Sequence, residues 1–273
     1  MTNEITQISS VARRAVEGLD WDTVNACGNE IIRRDPGSAE GYFLVGKAEK
    51  AKKRPVKARE AFEQALTLDP ERYDVAIELA DQYSVARRNG DAARLLGQYA
   101  DRLSNSPIYL TLAGTVYNDI GMAQQALPLF RRAHELQPNI DLFQANLAKC
   151  ATFVGEIDEA RALFEGLLNR FPNHRGNHYQ YSRLQKAKDY THIDQMKDIL
   201  NTTDEPPSHN IPLYFAIATE LEDLEQWDES FAYYKKAGDT VCEVTHYEVT
   251  ADIQLIDKII DVCDSEWLAA DAV

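Results

Sequence analysis

The feature that most restricts this chain is a register in which prolines, small residues and aromatics recur every 34 residues. Pro36, Pro70, Pro138 and Pro172 lie at multiples of that spacing, and so do Ala58, Ala92, Ala126 and Ala160. Phe62, Phe130 and Phe164 share the register, with Leu96 in the remaining slot; Gly46 and Gly114 match, with Ala80 and Ala148 in the alternate places. Such a period means one supersecondary unit copied end to end, each copy too small to bury its own apolar face. Leu110–Pro138 displays the unit most plainly. Its pattern predicts a helix over Pro107–Asp119, a tight turn at Gly121 and a second helix over Met122–Leu136. A small residue lets two helix backbones approach, the aromatic fills the gap beside it, and proline ends the second helix because it cannot donate the next hydrogen bond.

These residue types in this register resemble the tetratricopeptide repeat (TPR) family. The resemblance implies an all-α, right-handed α-solenoid of about seven helix–turn–helix units with a C-terminal capping helix. Units are expected near residues 5–36, 39–70, 73–105, 107–138, 141–172, 175–205 and 211–241, making a solenoid over 1–243 followed by an amphipathic helix over 244–273. Gly28 stands where later units carry the aromatic, so the first unit reads as a worn terminal cap. The third unit loses its proline and ends in Ser104-Asn105-Ser106-Pro107, a turn-forming cluster. The sixth departs further: its second helix, near Thr191–Leu200, lacks the small residue, and polar Asn201–Pro212 follows as a joint or flexible surface loop.

Composition narrows the function classes. At 273 residues, 44% apolar and 27% charged, the chain is an ordinary folded protein, and a solenoid can reach this length without one central core. A net charge of −15 argues against nucleic acid or an anionic membrane as partner, since both need a basic surface. Met1–Ser10 is polar, and no apolar stretch approaches membrane-spanning length, so neither signal peptide nor transmembrane helix is expected and the location is read as cytoplasmic. Cys27, Cys150, Cys242 and Cys263 are scattered without a Cys-x-x-Cys pair, which suits small buried fillers in a reducing compartment.

No catalytic or metal site emerges, and no cofactor is expected. Gly41-Tyr-Phe-Leu-Val-Gly46-Lys47-Ala48 nearly matches a phosphate-binding loop, but Ala48 cannot ligate magnesium and no strand precedes it. His174 and His178 are four apart, yet Pro172 and Gly176 place them at a helix start without a third ligand. His134 and His192 have no nucleophile pattern nearby. The acidic run Glu220-Leu-Glu222-Asp223-Leu-Glu225 reads as a solvated helix face.

The working surface is therefore expected on the inner groove formed by the first helix of each unit. Counting from the shared register, its partner-binding candidates are Phe43, Lys47, Lys50, Thr111, Thr115, Asn118, Lys149, Tyr179, Arg183 and Lys186. Lys47 with Lys50, and Lys149 with Arg183 and Lys186, form basic patches that suit acidic groups on a protein or peptide partner. The slot pairs Phe43/Lys47, Ile77/Asp81, Thr111/Thr115 and Ala145/Lys149 do not reproduce the Lys/Asn clamp of chaperone-binding family members. Beyond the repeats, Val249, Ile253, Ile256, Ile260, Cys263 and Trp267 fall on one helical face, broadened by Leu255, Ile259 and Val262. That stripe is wider than a cap needs: either it buries deeply against the seventh unit, or part of it faces something outside this chain, through a homo-oligomer or domain contact.

From about Asn177 to Asp261 the chain is similar to something narrower. His178-Tyr-Gln-Tyr-Ser182, the proline-containing loop, Tyr214-Phe-Ala-Ile-Ala218-Thr-Glu220-Leu-Glu-Asp223-Leu and Trp227-Asp-Glu-Ser-Phe231-Ala-Tyr-Tyr234 resemble the repeat region of bacterial TPR-containing sulfotransferases. In that family a phosphosulfate-binding domain would follow; no Gly-x-Pro-Arg-Ser-Gly-Thr-like loop occurs here, so no catalytic residue carries over. The expected function is a non-catalytic scaffold, with the repeat arm of such a sulfotransferase as the alternative.

Overall fold

In a computed structural model, residues 3–102, 106–245, 248–263 and 267 are described. Among them the regular structure is helical throughout. The first helices in order are α1 (Asn3–Glu17), α2 (Trp21–Arg34), α3 (Ala39–Ala51), α4 (Pro55–Leu68), α5 (Tyr73–Val85), α6 (Asn89–Tyr99), α7 (Pro107–Asp119) and α8 (Ala123–Leu136). There follow α9 (Asp141–Val154), α10 (Ile157–Arg170), α11 (Arg175–Ser182), α12 (Thr191–Thr202), α13 (Ile211–Asp223), α14 (Trp227–Thr245) and α15 (Val249–Val262). The helices group into two compact units, Met1–Leu167 and Leu168–Val273.

In the first unit the helices pack as antiparallel neighbours, and small residues carry the contacts. Ala48, Ala58, Ala80, Ala92, Ala126, Ala148 and Ala160 have no exposed surface. Phe62 and Phe164 are fully buried beside them; burying one such side chain contributes about 1.5–3 kcal/mol. The Phe62 ring occupies the space a side chain on Gly46 would need, and the Phe130 ring does the same at Gly114. Gly28 is not wear at a terminus: a Cβ there would stand 2.8 Å from the Gly41 carbonyl oxygen and 2.9 Å from Val45 Cγ2. The absent aromatic at Gly28 is what lets α2 pack directly on α3.

Each turn inside a repeat of the first unit uses one left-handed residue, and the 34-residue register extends to it. Leu19, Lys53, Arg87, Gly121 and Gly155 have φ of 57°, 56°, 60°, 81° and 87°. Each lets the last carbonyls of the first helix meet following amides, as in Arg54 N–H to Glu49 O at 3.0 Å and Met122 N–H to Tyr117 O at 2.7 Å. Proline at the first position of α4 and α7 opens those helices where no amide donor is needed.

The second unit departs from the pattern. α11 ends at Ser182, and residues 183–190 lie outside any helix before α12 begins at Thr191. Asn201–Pro212 is more ordered than a flexible joint: α12 runs to Thr202, Pro207–Asn210 forms a 3₁₀ turn and α13 starts at Ile211. Ile193, Met196, Leu213, Ala216, Ile217 and Leu221 form this unit's core. α15 buries no residue; Val249, Ile253, Leu255, Ile256, Ile259, Ile260 and Val262 are all at least half exposed. Of the four free cysteines only Cys150 is a buried filler, its thiol lying 3.5 Å from the Ala123 carbonyl; Cys242 is exposed.

Candidate functional site

The first helices α3, α5, α7 and α9 present one register of side chains, and its two halves differ in chemistry. Between α3 and α5 the charges are already satisfied. Lys47 Nζ donates to Glu78 Oε1 at 2.6 Å, Lys50 Nζ donates to Glu78 Oε2 at 2.7 Å, and Lys50 also lies 2.7 Å from Asp81 Oδ2. Burial works to raise the Glu78 carboxyl, but Lys50 and then Lys47 overcome it and hold it below its ordinary range. Arg72 donates to Glu40 at 2.9 Å and to Asp74 at 2.6 Å, and its guanidinium lies 4.8 Å over the Phe43 ring. Lys47 and Lys50 are thus the cations of an internal network rather than a basic patch awaiting an acidic partner.

On α7 and α9 the same register is open. Ile108, Leu142 and Phe153 are 70%, 60% and 73% exposed, with Ile108 and Leu142 at equivalent positions of neighbouring repeats. Thr111, Thr115 and Asn118 share that face of α7: Thr115 Oγ1 donates to the Thr111 carbonyl at 2.9 Å, and Thr111 Oγ1 is buried with no hydrogen-bond partner among the described residues. Lys149, one repeat beyond Thr115, is exposed and makes no ion pair among the described residues. The earlier helices carry Glu40 and Asp74 at the position of Ile108 and Leu142, so a switch from acidic to apolar is visible in the sequence once the register is known.

The second unit holds a buried polar chain. His178 Nε2 lies 2.6 Å from the Pro172 carbonyl oxygen, His178 Nδ1 is 2.8 Å from His192 Nε2, and His192 Nδ1 is 2.5 Å from Glu220 Oε1. A carbonyl only accepts, so His178 carries its proton on Nε2 and Nδ1 must accept from His192. Burial above all, helped by His192 and His174, lowers the His178 pKa to about 4 against the pull of the Pro172 carbonyl. Both nitrogens of His178 are engaged, which leaves neither for a metal or a substrate. Among the described residues no cluster has the makings of a metal site. Glu220 is buried rather than on a solvated face.

The family model of the tetratricopeptide repeat matches residues 39–72, which carry α3 and α4, and a second such model matches residues 121–185. Over those two segments the chain is similar to tetratricopeptide repeats. Solved TPR structures share the fold. YrrB, "a TPR protein with an unusual peptide-binding site", aligns at 16% identity over 76% of this chain and 97% of its own, with a TM-score of 0.52. A TPR protein from Parabacteroides merdae aligns at 14% identity over 88% and 94%, with a TM-score of 0.54. The APC/C hetero-tetramer Cut9-Hcn1 aligns at 13% identity over 93% of this chain and 48% of that one, with a TM-score of 0.58. No curated protein matches the sequence.

Phe43, Lys47 and Lys50 stand on α3, Thr111, Thr115 and Asn118 on α7, and Lys149 on α9, all in the first unit. Tyr179, Arg183 and Lys186 belong to the second unit and fare differently. Tyr179 is on α11, with its ring 6.4 Å from Phe215 and the Arg183 guanidinium 5.3 Å away over it. Arg183 is the C-cap of α11, and Lys186 lies outside any helix. Counting Lys186 onto a first helix assumed a full-length α11, and that helix stops after eight residues. His174 is the N-cap of α11, its Nδ1 accepting from Asn177 N–H at 3.1 Å, and the near-match to a phosphate loop at Gly41–Ala48 lies within α3. No helix of the described residues is long and apolar enough to cross a membrane.

Proposed function

We propose that this TPR protein is a non-catalytic scaffold whose first-helix face on α7 and α9 takes a protein or peptide segment. The observation that carries this reading is the set Ile108, Leu142 and Phe153: three large apolar side chains, each at least 60% exposed, the first two at equivalent repeat positions and Phe153 one helical turn beyond Lys149, which makes no ion pair among the described residues. Apolar anchors next to a lone cation suit a segment with spaced apolar side chains and an acidic group. Phe43, Lys47 and Lys50 serve as the internally satisfied flank of this face. The test is selection of a displayed peptide library on the intact chain, followed by measured affinities for the Ile108→Asp, Phe153→Asp and Lys149→Glu variants. Apolar and acidic peptides whose binding falls at least tenfold in each variant are expected. Selected peptides that bind all three variants equally would overturn the assignment.

A second reading rests on α15. Val249, Ile253, Ile256 and Ile260 follow at intervals of four, three and four, the spacing of a helix–helix seam, and all are exposed. We infer that this helix pairs with α15 of a second copy. The antiparallel sense is favoured, because parallel pairing would set Asp252 against Asp257 across the seam. Light scattering should give a dimer that Ile253→Asp with Ile260→Asp makes monomeric. A monomeric parent chain overturns the pairing and favours contact with a further domain, as the sulfotransferase resemblance implies.

A further inference from the structure

The break in the repeat pattern at Thr203–Asn210 builds a pocket within the second unit. It measures about 220 Å³, and its polar lining is Lys197, Asn201, Asn210, Tyr214, Tyr233 and Lys236. No carboxylate lines it, in a chain whose net charge is −15. Lys236 Nζ lies 4.4 Å from the centre of the Tyr214 ring, a contact that positions the ammonium without neutralising it. Lys197 Nζ stands 5.9 Å from the Tyr233 ring and is ion-paired with Glu229 Oε1 at 2.7 Å, which compensates its charge but leaves two of its three donors, so the uncompensated charge here is that of Lys236.

Asn210 gives the pocket its direction. It is 6% exposed, and its Oδ1 accepts from Arg175 Nε at 2.8 Å. A guanidinium only donates, so the amide cannot be reversed, and Nδ2 is left as a donor with no partner among the described residues. Arg175 makes its other hydrogen bond to Thr203 Oγ1 at 2.8 Å and no ion pair, so a third positive charge stands behind the amide. Lys236, Lys197, the fixed Asn210 amide donor and two tyrosines line a space too small for a folded segment. Several donors of fixed position and net positive charge match an oxyanion with many acceptor lone pairs.

We propose that this pocket binds a phosphate group, as inorganic phosphate or as the end of a small phosphomonoester. The assignment is independent of the α7–α9 face. A tetrahedral dianion uses both lysines and the neutral donors together, whereas a planar carboxylate has fewer acceptor positions and half the charge. The test is calorimetric titration of the full chain with inorganic phosphate, and separately with acetate, at constant ionic strength. One phosphate per chain is expected, with acetate at least tenfold weaker. Lys236→Gln and Lys197→Gln should each weaken phosphate at least fivefold. Asn210→Asp keeps the acceptor for Arg175 but turns the donor into a negative oxygen, and should abolish binding with the thermal melt retained. Lys235→Gln, one residue away and paired with Asp239, should change nothing. Absence of saturable binding, indifference to Lys236→Gln, or acetate binding as tightly as phosphate would each overturn the proposal.

Discussion

The ring of Phe62 stands where a side chain on Gly46 would be: a Cβ at Gly46 would lie 2.6 Å from Phe62 Cδ1. The two residues belong to α3 and α4 of one repeat, and their contact sets how closely those helices pack. Gly46→Ala is therefore an overpacking substitution and should cost about 1–3 kcal/mol in urea denaturation. Adding Phe62→Leu should recover part of the loss, since the third repeat already combines Ala80 with Leu96. Two single variants whose losses simply add would show that the residues do not share one packing site.

The left-handed turn residues make an opposite kind of prediction. Lys53 and Arg87 hold φ of 56° and 60°, where Gly121 and Gly155 stand in later repeats. A side chain in that region costs roughly 1–2 kcal/mol, part of which glycine returns through its greater freedom when unfolded. Lys53→Gly and Arg87→Gly should each stabilise by about 0.5–1 kcal/mol, read as a higher denaturation midpoint with unchanged slope. Gly155→Ala should lower it.

His178 predicts a pH dependence. Its pKa falls from 6.5 to about 4 on folding, chiefly through burial. The unfolded chain therefore takes up the proton first as pH drops. Stability from this group is complete above pH 6.5 and is lost between 6.5 and about 4. The loss is on the order of 3 kcal/mol at 1.36 kcal/mol per pKa unit. Denaturation of the parent and of His178→Asn across that range should show a steeper fall for the parent. Parallel curves would mean that the histidine is not buried neutral.

Glu78 predicts the cost of losing a shared acid. Its carboxylate serves Lys47 and Lys50 together, so Glu78→Gln should destabilise by about 1–3 kcal/mol, as expected for losing hydrogen bonds to charged groups. Because its pKa is held below 4.5, the stability it supplies is present above that pH and fades as pH falls. A Glu78→Gln variant as stable as the parent at pH 7, with the same acid limb, would show that the pairs contribute nothing.

How much of this was legible in the sequence varies with the distance over which the determining contacts act. The helices around Gly46, Gly114, Ala126 and Phe130 could be read directly, because period, turn and crossing residues lie within one repeat. Helix register also put Phe43, Lys47, Lys50, Thr111, Thr115, Asn118 and Lys149 on first helices. What it could not reveal was the state of their charges. Glu78, 31 residues from Lys47, closes that network through α5, whereas among the described residues none pairs with Lys149. Lys186 falls outside the first-helix register because α11 stops early, and Glu220 is drawn off the solvated face because His192, 28 residues away, folds against it.

The amino-acid sequence by itself therefore determined the repeating helix pair and where it turns, since backbone dihedrals and apolar spacing are set by residues within reach of one helix. Which cations stay free, which acids are buried and where a pocket opens was decided only by the tertiary structure. Those properties depend on partners that meet after the helices have packed, and electrostatic and desolvation energies are fixed at that distance rather than along the chain.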